Sequence, residues 1–350
     1  MGAAAKYFFS TSADADTLNK RVRPSDAQRD FLKSNKDALK LHLESDLRRR
    51  CGYSVSTWLQ GSYKLHTLIR PIYGGDYDVD VGVYVEWGSG EMPLAPIDLR
   101  GHAQASLQEF AQQSETTCRV IDPPKQRCSR VKYEKHFHID TPIYHHNSDT
   151  GVARLATMDD EWELSDPEKM VRWFQDRLDG DERAQARRLV RYLKAWAALR
   201  FSSDQEARPS SLLLTVLAVD AYAETVEGGD FEDDDALQEV VTSIVDRLAL
   251  STAVANPVGS DEDGNLNRLS SEGEERFLQA LDELLEVCER ATSNVDEGAA
   301  VAAWTDAFDF LFPLPDSEGL VEADAQQSAV IATPTIAIDV YETDGRRART

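Results

Sequence analysis

Basic residues are scarce in this chain: 38 lysines and arginines stand against 62 aspartates and glutamates, a formal charge of −24 over 350 residues. Proteins that grip long stretches of DNA or RNA do so through basic patches, so the imbalance argues against that class. Cysteine is sparse as well. Cys51, Cys118, Cys128 and Cys288 lie far apart with no C-x-x-C pair. That spacing supports neither a disulfide framework nor a zinc ribbon and fits a reducing cytoplasm. No apolar run approaches the length that crosses a bilayer, and the opening MGAAAKYFFSTS lacks a sustained apolar stretch, so a soluble cytoplasmic protein with no membrane partner is expected. No internal repeat suggests a solenoid. What the composition does supply is core: 41% hydrophobic residues suffice for one large domain or two intimately packed ones.

The most informative segment runs from Gln60 to Tyr84, a Gly-Ser turn in QGSYKLH followed by GGDYDVDVGVY. Aspartates at 76, 78 and 80 alternate with core-type residues, so a strand places them on one face, neighbours roughly 6.6 Å apart along it. Aspartate is disfavoured in strands, and carboxylates sharing a face repel one another unless a cation neutralises them. Paired carboxylates hold hard cations such as Mg²⁺, and a Gly-Ser turn entering a helix offers N–H groups to a polyphosphate. Small Mg-bound nucleotides remain compatible with an acidic protein, because the metal partly neutralises their phosphates. Spacing alone does not choose which two of the three aspartates bind metal.

Gln60, Gly61, Ser62, Tyr63, Lys64, His66, Thr67, Leu68 and Pro71, then Asp78, Asp80, Gly82 and Tyr84, resemble the Q-G-S-[FY]-K-x-H-T-L-x-x-P … D-x-D-x-G-x-Y signature of cGAS/DncV-like nucleotidyltransferases. The likeness is specific locally and patchy elsewhere. It implies an α/β (α+β) fold, a polymerase-β-like nucleotidyltransferase sheet lobe against a C-terminal helical lobe, and a template-independent enzyme that cyclises NTPs into a di- or trinucleotide signal for antiphage defence. The runner-up within the fold adds nucleotides to RNA or a small acceptor. The resemblance selects Asp78 and Asp80 as metal ligands and leaves Asp76 flanking. It also implies two Mg²⁺ ions, with Mn²⁺ as a substitute, and NTP substrates including a purine.

The segment HFHIDTPIY matches the family's third-acid strand, which assigns Asp140 as third carboxylate and the residue nearest the acceptor hydroxyl. A zinc or iron site of His136, His138 and Asp140, with His145 and His146 following, is the competing metal reading and leaves the Gly-Ser turn unexplained. Ser62 reads as a cap facing the donor phosphates, with Gln60, Gly61 and Tyr63 beside it. Arg187, Arg191 and Lys194 share one side of a helix, either a solvated stripe or a phosphate clamp; the resemblance selects Lys194. It places a phosphate-binding serine at Ser210 or Ser211 and an acceptor-side arginine at Arg127 or Arg130. Tyr63, Tyr73 and Tyr192 are available to stack on bases, and Asn256-Pro257-Val258 reads as a structural turn.

Periodicity predicts a long helix over 25–50 capped by Ser25, strands at 53–59 and 79–85, a helix at 95–113, strands at 119–121, 129–133 and 136–144, and a sheet ending near Tyr144. Helices are expected at 166–178, 181–201, 209–226, 236–250, 272–292 and 299–311, with surface loops at 227–235 and 257–275. We read 1–160 as a nucleotidyltransferase lobe, 161–315 as a helical lobe and 316–350 as an extended segment with an edge strand in ATPTIAIDVYE. The tail TDGRRART is a candidate handle for a regulatory or conjugating protein, and a monomer is expected.

Overall fold

The computed structural model describes residues 2–73, 76–89, 94–115, 117–134, 137–226, 231–259 and 264–315. The chain opens with a turn of 3-10 helix at Ala5–Tyr7 and helix α1, Leu18–Val22, capped by Thr17. Helix α2, Asp26–Cys51, starts in a capping box: the Ser25 hydroxyl accepts the Gln28 N–H while the Gln28 side chain accepts the Ser25 N–H. It ends on Gly52 in the left-handed region, where a side chain would be strained. Strand β1, Ser54–Gln60, leads into the single-turn helix α3, Gly61–Leu65, and β2, Tyr77–Trp87, follows. Helix α4, Pro96–Gln113, has proline at its first position, where no N–H is needed.

Six strands complete the sheet: β3 Cys118–Val120, β4 Ser129–Tyr133, β5 Phe137–Thr141, β6 Ile143–Asn147, β7 Ala153–Ala156 and β8 Trp162–Leu164. Long β2 is the spine. One edge pairs antiparallel with β1 along its whole length; the other pairs parallel with β5 over Tyr77–Asp80 and with β6 over Val83–Trp87. Pro142 separates β5 from β6 because it lacks an N–H, yet its carbonyl still accepts the Val83 N–H at 2.9 Å. The run expected as one strand at 136–144 is therefore two, and the sheet continues past Tyr144 through β7 and β8.

The helices α5 Pro167–Arg177, α6 Gly180–Arg200, α7 Ser211–Thr225, α8 Asp233–Leu250, α9 Ser271–Thr292 and α10 Glu297–Phe308 follow. Two large hydrophobic cores and a small cluster of Tyr144, Ala153 and Leu155 form among the described residues. In the first, Val79, Val81, Val83 and Val85 pack against Leu39 and Leu43 of α2 and Leu99 and Leu107 of α4. The second lies among the helices and takes in Ala4, Phe8, Leu18 and Val22 from the start of the chain. Asp233 and Asp234, expected on a surface loop, are buried in the first turn of α8. Asp233 accepts from Gln185, Arg188 and Tyr192, which replaces the water it loses. The expected strand and tail at 332–350 lie outside the described residues.

Candidate active site

With the β2 valines turned to α2 and α4, Asp78 and Asp80 leave the opposite face of the sheet. Asp80 sits between Gln60 of β1 and Asp140 of β5, and Asp140 lies beside Arg130 of β4. The neighbouring row is Asp78, His138 and Lys132. Two cross-strand rows on one face thus bring the three expected acids together, although 60 positions separate Asp80 from Asp140 in the sequence.

Asp140 is buried and held by a bidentate Arg130, Nε to Oδ1 at 2.5 Å and Nη2 to Oδ2 at 2.7 Å. Lys125 Nζ reaches the same Oδ2 at 3.5 Å. Arg127, the other candidate arginine, pairs instead with Glu163 at 3.0 Å. One ligand atom each from Asp78, His138 and Asp140 lie within 4.8 Å of one another. His138 is buried with neither ring nitrogen hydrogen-bonded among the described residues; its Nε2 is 3.8 Å from Asp78 Oδ2. His136 lies outside the described residues, and His145 is stacked on Trp87 with ring centroids 3.9 Å apart. The histidine cluster of the competing metal reading therefore reduces, among described residues, to His138.

Electrostatics set the two β2 aspartates apart. Burial opposes the Asp78 charge, but His138 and Arg130 hold its carboxyl below the usual range. Asp80 is pushed up to about 7 by burial and then by the negative charges of Asp78 and Asp140, only partly offset by Arg130 and Lys125. Crowded carboxylates, one of them made harder to ionise, beside an imidazole without a hydrogen bond among the described residues, fit a divalent cation, which would remove the repulsion.

The Gly-Ser turn lies directly on this cluster. Gly61 has φ +59°, and a Cβ there would collide with Asp80 Oδ2, so only glycine permits the approach. Gln60 is buried and fixed at both ends: Nε2 donates to Tyr84 Oη at 2.8 Å and Oε1 accepts from Tyr144 Oη at 3.2 Å. A Cβ on Gly82 would collide with that amide, which explains the glycine of D-x-D-x-G. Gln60 rather than Ser62 occupies the cap position of α3; Ser62 stands inside the first turn, where its carbonyl accepts the Thr67 N–H at 2.9 Å. Tyr63 is half-buried against the sheet core with the Lys36 ammonium 5.7 Å from its ring centroid.

Helix α6 closes the turn from the other side. Lys194 Nζ lies 3.1 Å from Thr67 Oγ1, and Arg191 donates to the His66 carbonyl at 2.6 Å and to Asn19 Oδ1 at 2.7 Å. Both cations are buried, which rules out the solvated-stripe reading for them; Arg187 stands over the Phe174 ring. Burial lowers Lys194 to about 8 against the pull of Asp78 and Asp80, and lowers Arg191 to about 10. Ser210 caps α7 by accepting the Leu213 N–H at 3.1 Å, and Ser211 is the exposed first residue of that helix. Tyr192 is fully buried and donates to Phe8 O and Asp233 Oδ2, so it has no ring face for a base. Tyr73 is exposed and donates to Asp309 Oδ2 at 2.6 Å. Asn256 Oδ1 accepts the Val258 N–H, a local turn. The pairing of His138 with Asp78 and of Lys125 with Asp140 has no local sequence signal, because the first depends on cross-strand register and the second on the path of the 121–128 loop.

Comparison with known proteins agrees with this geometry. Residues 55–144 match the family described as Cyclic GMP-AMP synthase DncV-like, nucleotidyltransferase domain. A cyclic GMP-AMP synthase of Escherichia albertii is 27% identical over 345 residues, 98% of this chain and 74% of the relative. A c-di-GMP synthase of Roseivirga ehrenbergii is 24% identical over 249 residues, 61% of this chain and 63% of the relative. The crystal structure of Vibrio cholerae DncV cyclic AMP-GMP synthase with the linear intermediate 5′ pppA(3′,5′)pG superposes with a TM-score of 0.74, at 18% identity, over 89% of this chain and 97% of that one. Among the described residues no helix is long and apolar enough to cross a membrane. With a DncV-like nucleotidyltransferase domain matched at 55–144, similarity to a cyclic GMP-AMP synthase over 98% of its length and the fold of DncV, the chain resembles the cGAS/DncV-like nucleotidyltransferases, and it is an enzyme of nucleotidyl transfer.

Proposed function

We propose that the chain joins nucleoside triphosphates without a template, releases pyrophosphate at each bond and closes the product into a ring. The observation that carries this reading is the row Gln60, Asp80, Asp140, Arg130, with the Gly61-Ser62 turn pressed onto Asp80. The relatives named for cyclic GMP-AMP and c-di-GMP favour a dinucleotide over a trinucleotide.

Asp78, Asp80 and Asp140 would hold divalent metal, two Mg²⁺ ions by the resemblance. Bound there, the metal would supply the lowered pKa of the attacking ribose hydroxyl and the neutralisation of the triphosphate and departing pyrophosphate. The remaining work belongs to the chain. Arg130 fixes the plane of the Asp140 carboxylate, so its oxygens meet the acceptor hydroxyl in one orientation and can take its proton. Lys194 brings a positive charge to the turn at Thr67, where the donor triphosphate would lie against the Gly61, Ser62 and Tyr63 N–H groups. Ser210 and Ser211 at the start of α7 are the proposed further phosphate contacts. After the first bond the linear product turns over, so that the former donor presents its hydroxyl; the Vibrio structure holds such a linear intermediate. The product would act as a second messenger in antiphage signalling in the cytoplasm.

The test is product analysis with all four NTPs and Mg²⁺. A phosphatase-resistant species with the mass of a cyclic dinucleotide is expected. Label transferred only to RNA, or into products that phosphatase degrades fully, would refute ring closure.

A further inference from the structure

Arg100 of α4 is the largest buried cation outside the site, 1% exposed, on the helix behind the sheet. Its Nη2 donates to the carbonyls of Lys125, at 2.5 Å, and Cys128, at 3.0 Å, while Nε and Nη1 have no hydrogen-bond partner among the described residues. Burial lowers its pKa. A buried guanidinium with unpaired donors costs stability that an apolar side chain would not, so packing alone does not account for it. One helical turn on, Gln104 Nε2 donates to the Ile121 carbonyl at 3.0 Å, so α4 grips the 121–128 loop at both ends. That loop delivers Lys125 to Asp140.

We propose that Arg100 is a positioning residue for nucleotidyl transfer: by fixing the main chain at Lys125 and Cys128 it holds the Lys125 ammonium at Asp140 Oδ2, the oxygen that Arg130 Nη2 also reaches. The inference rests on the role assigned to Asp140 above. Lys125 is 44% exposed on a flexible stem, and an ammonium so placed finds one position only when its backbone is held. Arg100→Lys keeps a buried cation on a shorter side chain, which stops short of the position from which Nη2 bonds both carbonyls.

The test is a double-mutant cycle on pyrophosphate release using Arg100→Lys, Lys125→Met and both, with Arg100→Met as a second probe. Each single change lowers kcat about tenfold with KM for NTP within about twofold, and the double variant is no slower than the worse single one. Amide exchange of 125–128 quickens in both Arg100 variants and stays unchanged in Lys125→Met. Multiplying losses, or unchanged exchange in the Arg100 variants, overturns the proposal. Because exchange is read without turnover, a wild-type protein that makes no product refutes the assigned activity and leaves the loop result separately legible.

Discussion

Asp80 carries the clearest consequence of placing three acids on one face. Its carboxyl titrates at about 4 in an unfolded chain and is raised to about 7 in the fold. Below pH 4 both states hold the proton and no cost arises; between 4 and 7 the unfolded chain ionises first, so stability falls as pH rises, and above 7 the cost is complete. Asp80→Asn should therefore stabilise the metal-free protein at pH 8 by about 2 kcal/mol after allowance for screening, and by nothing at pH 4, as read by thermal melts in chelator. Added Mg²⁺ should raise the wild-type melting temperature and leave the variant nearly unmoved. Gly61 makes the complementary point. In Gly61→Ala the left-handed backbone costs about 1–2 kcal/mol and the new methyl displaces Asp80, so activity should fall about a hundredfold by pyrophosphate assay. Lys194→Met should separate function from stability: KM for NTP rises about tenfold or more, while the nucleotide-free protein melts no lower, because a buried lysine lowered to about 8 is strained in its charged form.

Elements whose patterning is local were legible, and elements whose definition is tertiary were not. The capping box at Ser25, the β2 alternation and the apolar spacing of α6 each sit inside a short window, and each element forms within two residues of its expected ends. Strands β7 and β8 are four and three residues long with exposed positions, too short to show a period. Asp233 and Asp234 read as loop acids because nothing nearby announces Arg188, Gln185 and Tyr192, which lie 41 to 48 residues away. The aspartates of β2 were legible because D-x-D alternation is itself a local signal, while the choice of Asp78 and Asp80 among them, and Asp140, rested on the family resemblance. How Arg130 and His138 pair with them depends on which strand lies beside which, and Lys125 arrives on a loop. The opening segment was missed altogether: Phe8 sits at the centre of a cluster with Tyr192, Trp304, Phe308 and Phe312, although only its two neighbouring residue types hint at burial. Phe8→Ala should cost about 3–5 kcal/mol in denaturant unfolding, comparable to other buried aromatic truncations.

At the scale of the molecule, several of the buried or half-buried cations among the described residues stand close to the acids. Arg130 is on Asp140, Lys194 and Arg191 are on the turn above it, and Arg100 is behind it, in a chain of net charge −24. Such a cluster suits a small, compact polyanion, and the net negative charge opposes a long one, so double-stranded DNA should neither stimulate turnover nor bind measurably at physiological salt. The sheet contributes the acids and Arg130, α6 contributes Lys194 and Arg191, and the Gly-Ser turn lies between them. The most direct measurement of this arrangement is pyrophosphate release from NTPs with Mg²⁺ by the wild-type protein and by Asp78→Asn with Asp80→Asn, with matched thermal melts. Turnover in the wild type and none in a variant that melts at or above the wild-type temperature is the predicted result. Undiminished turnover in the folded variant would contradict the assignment of the acid row as the site of nucleotidyl transfer.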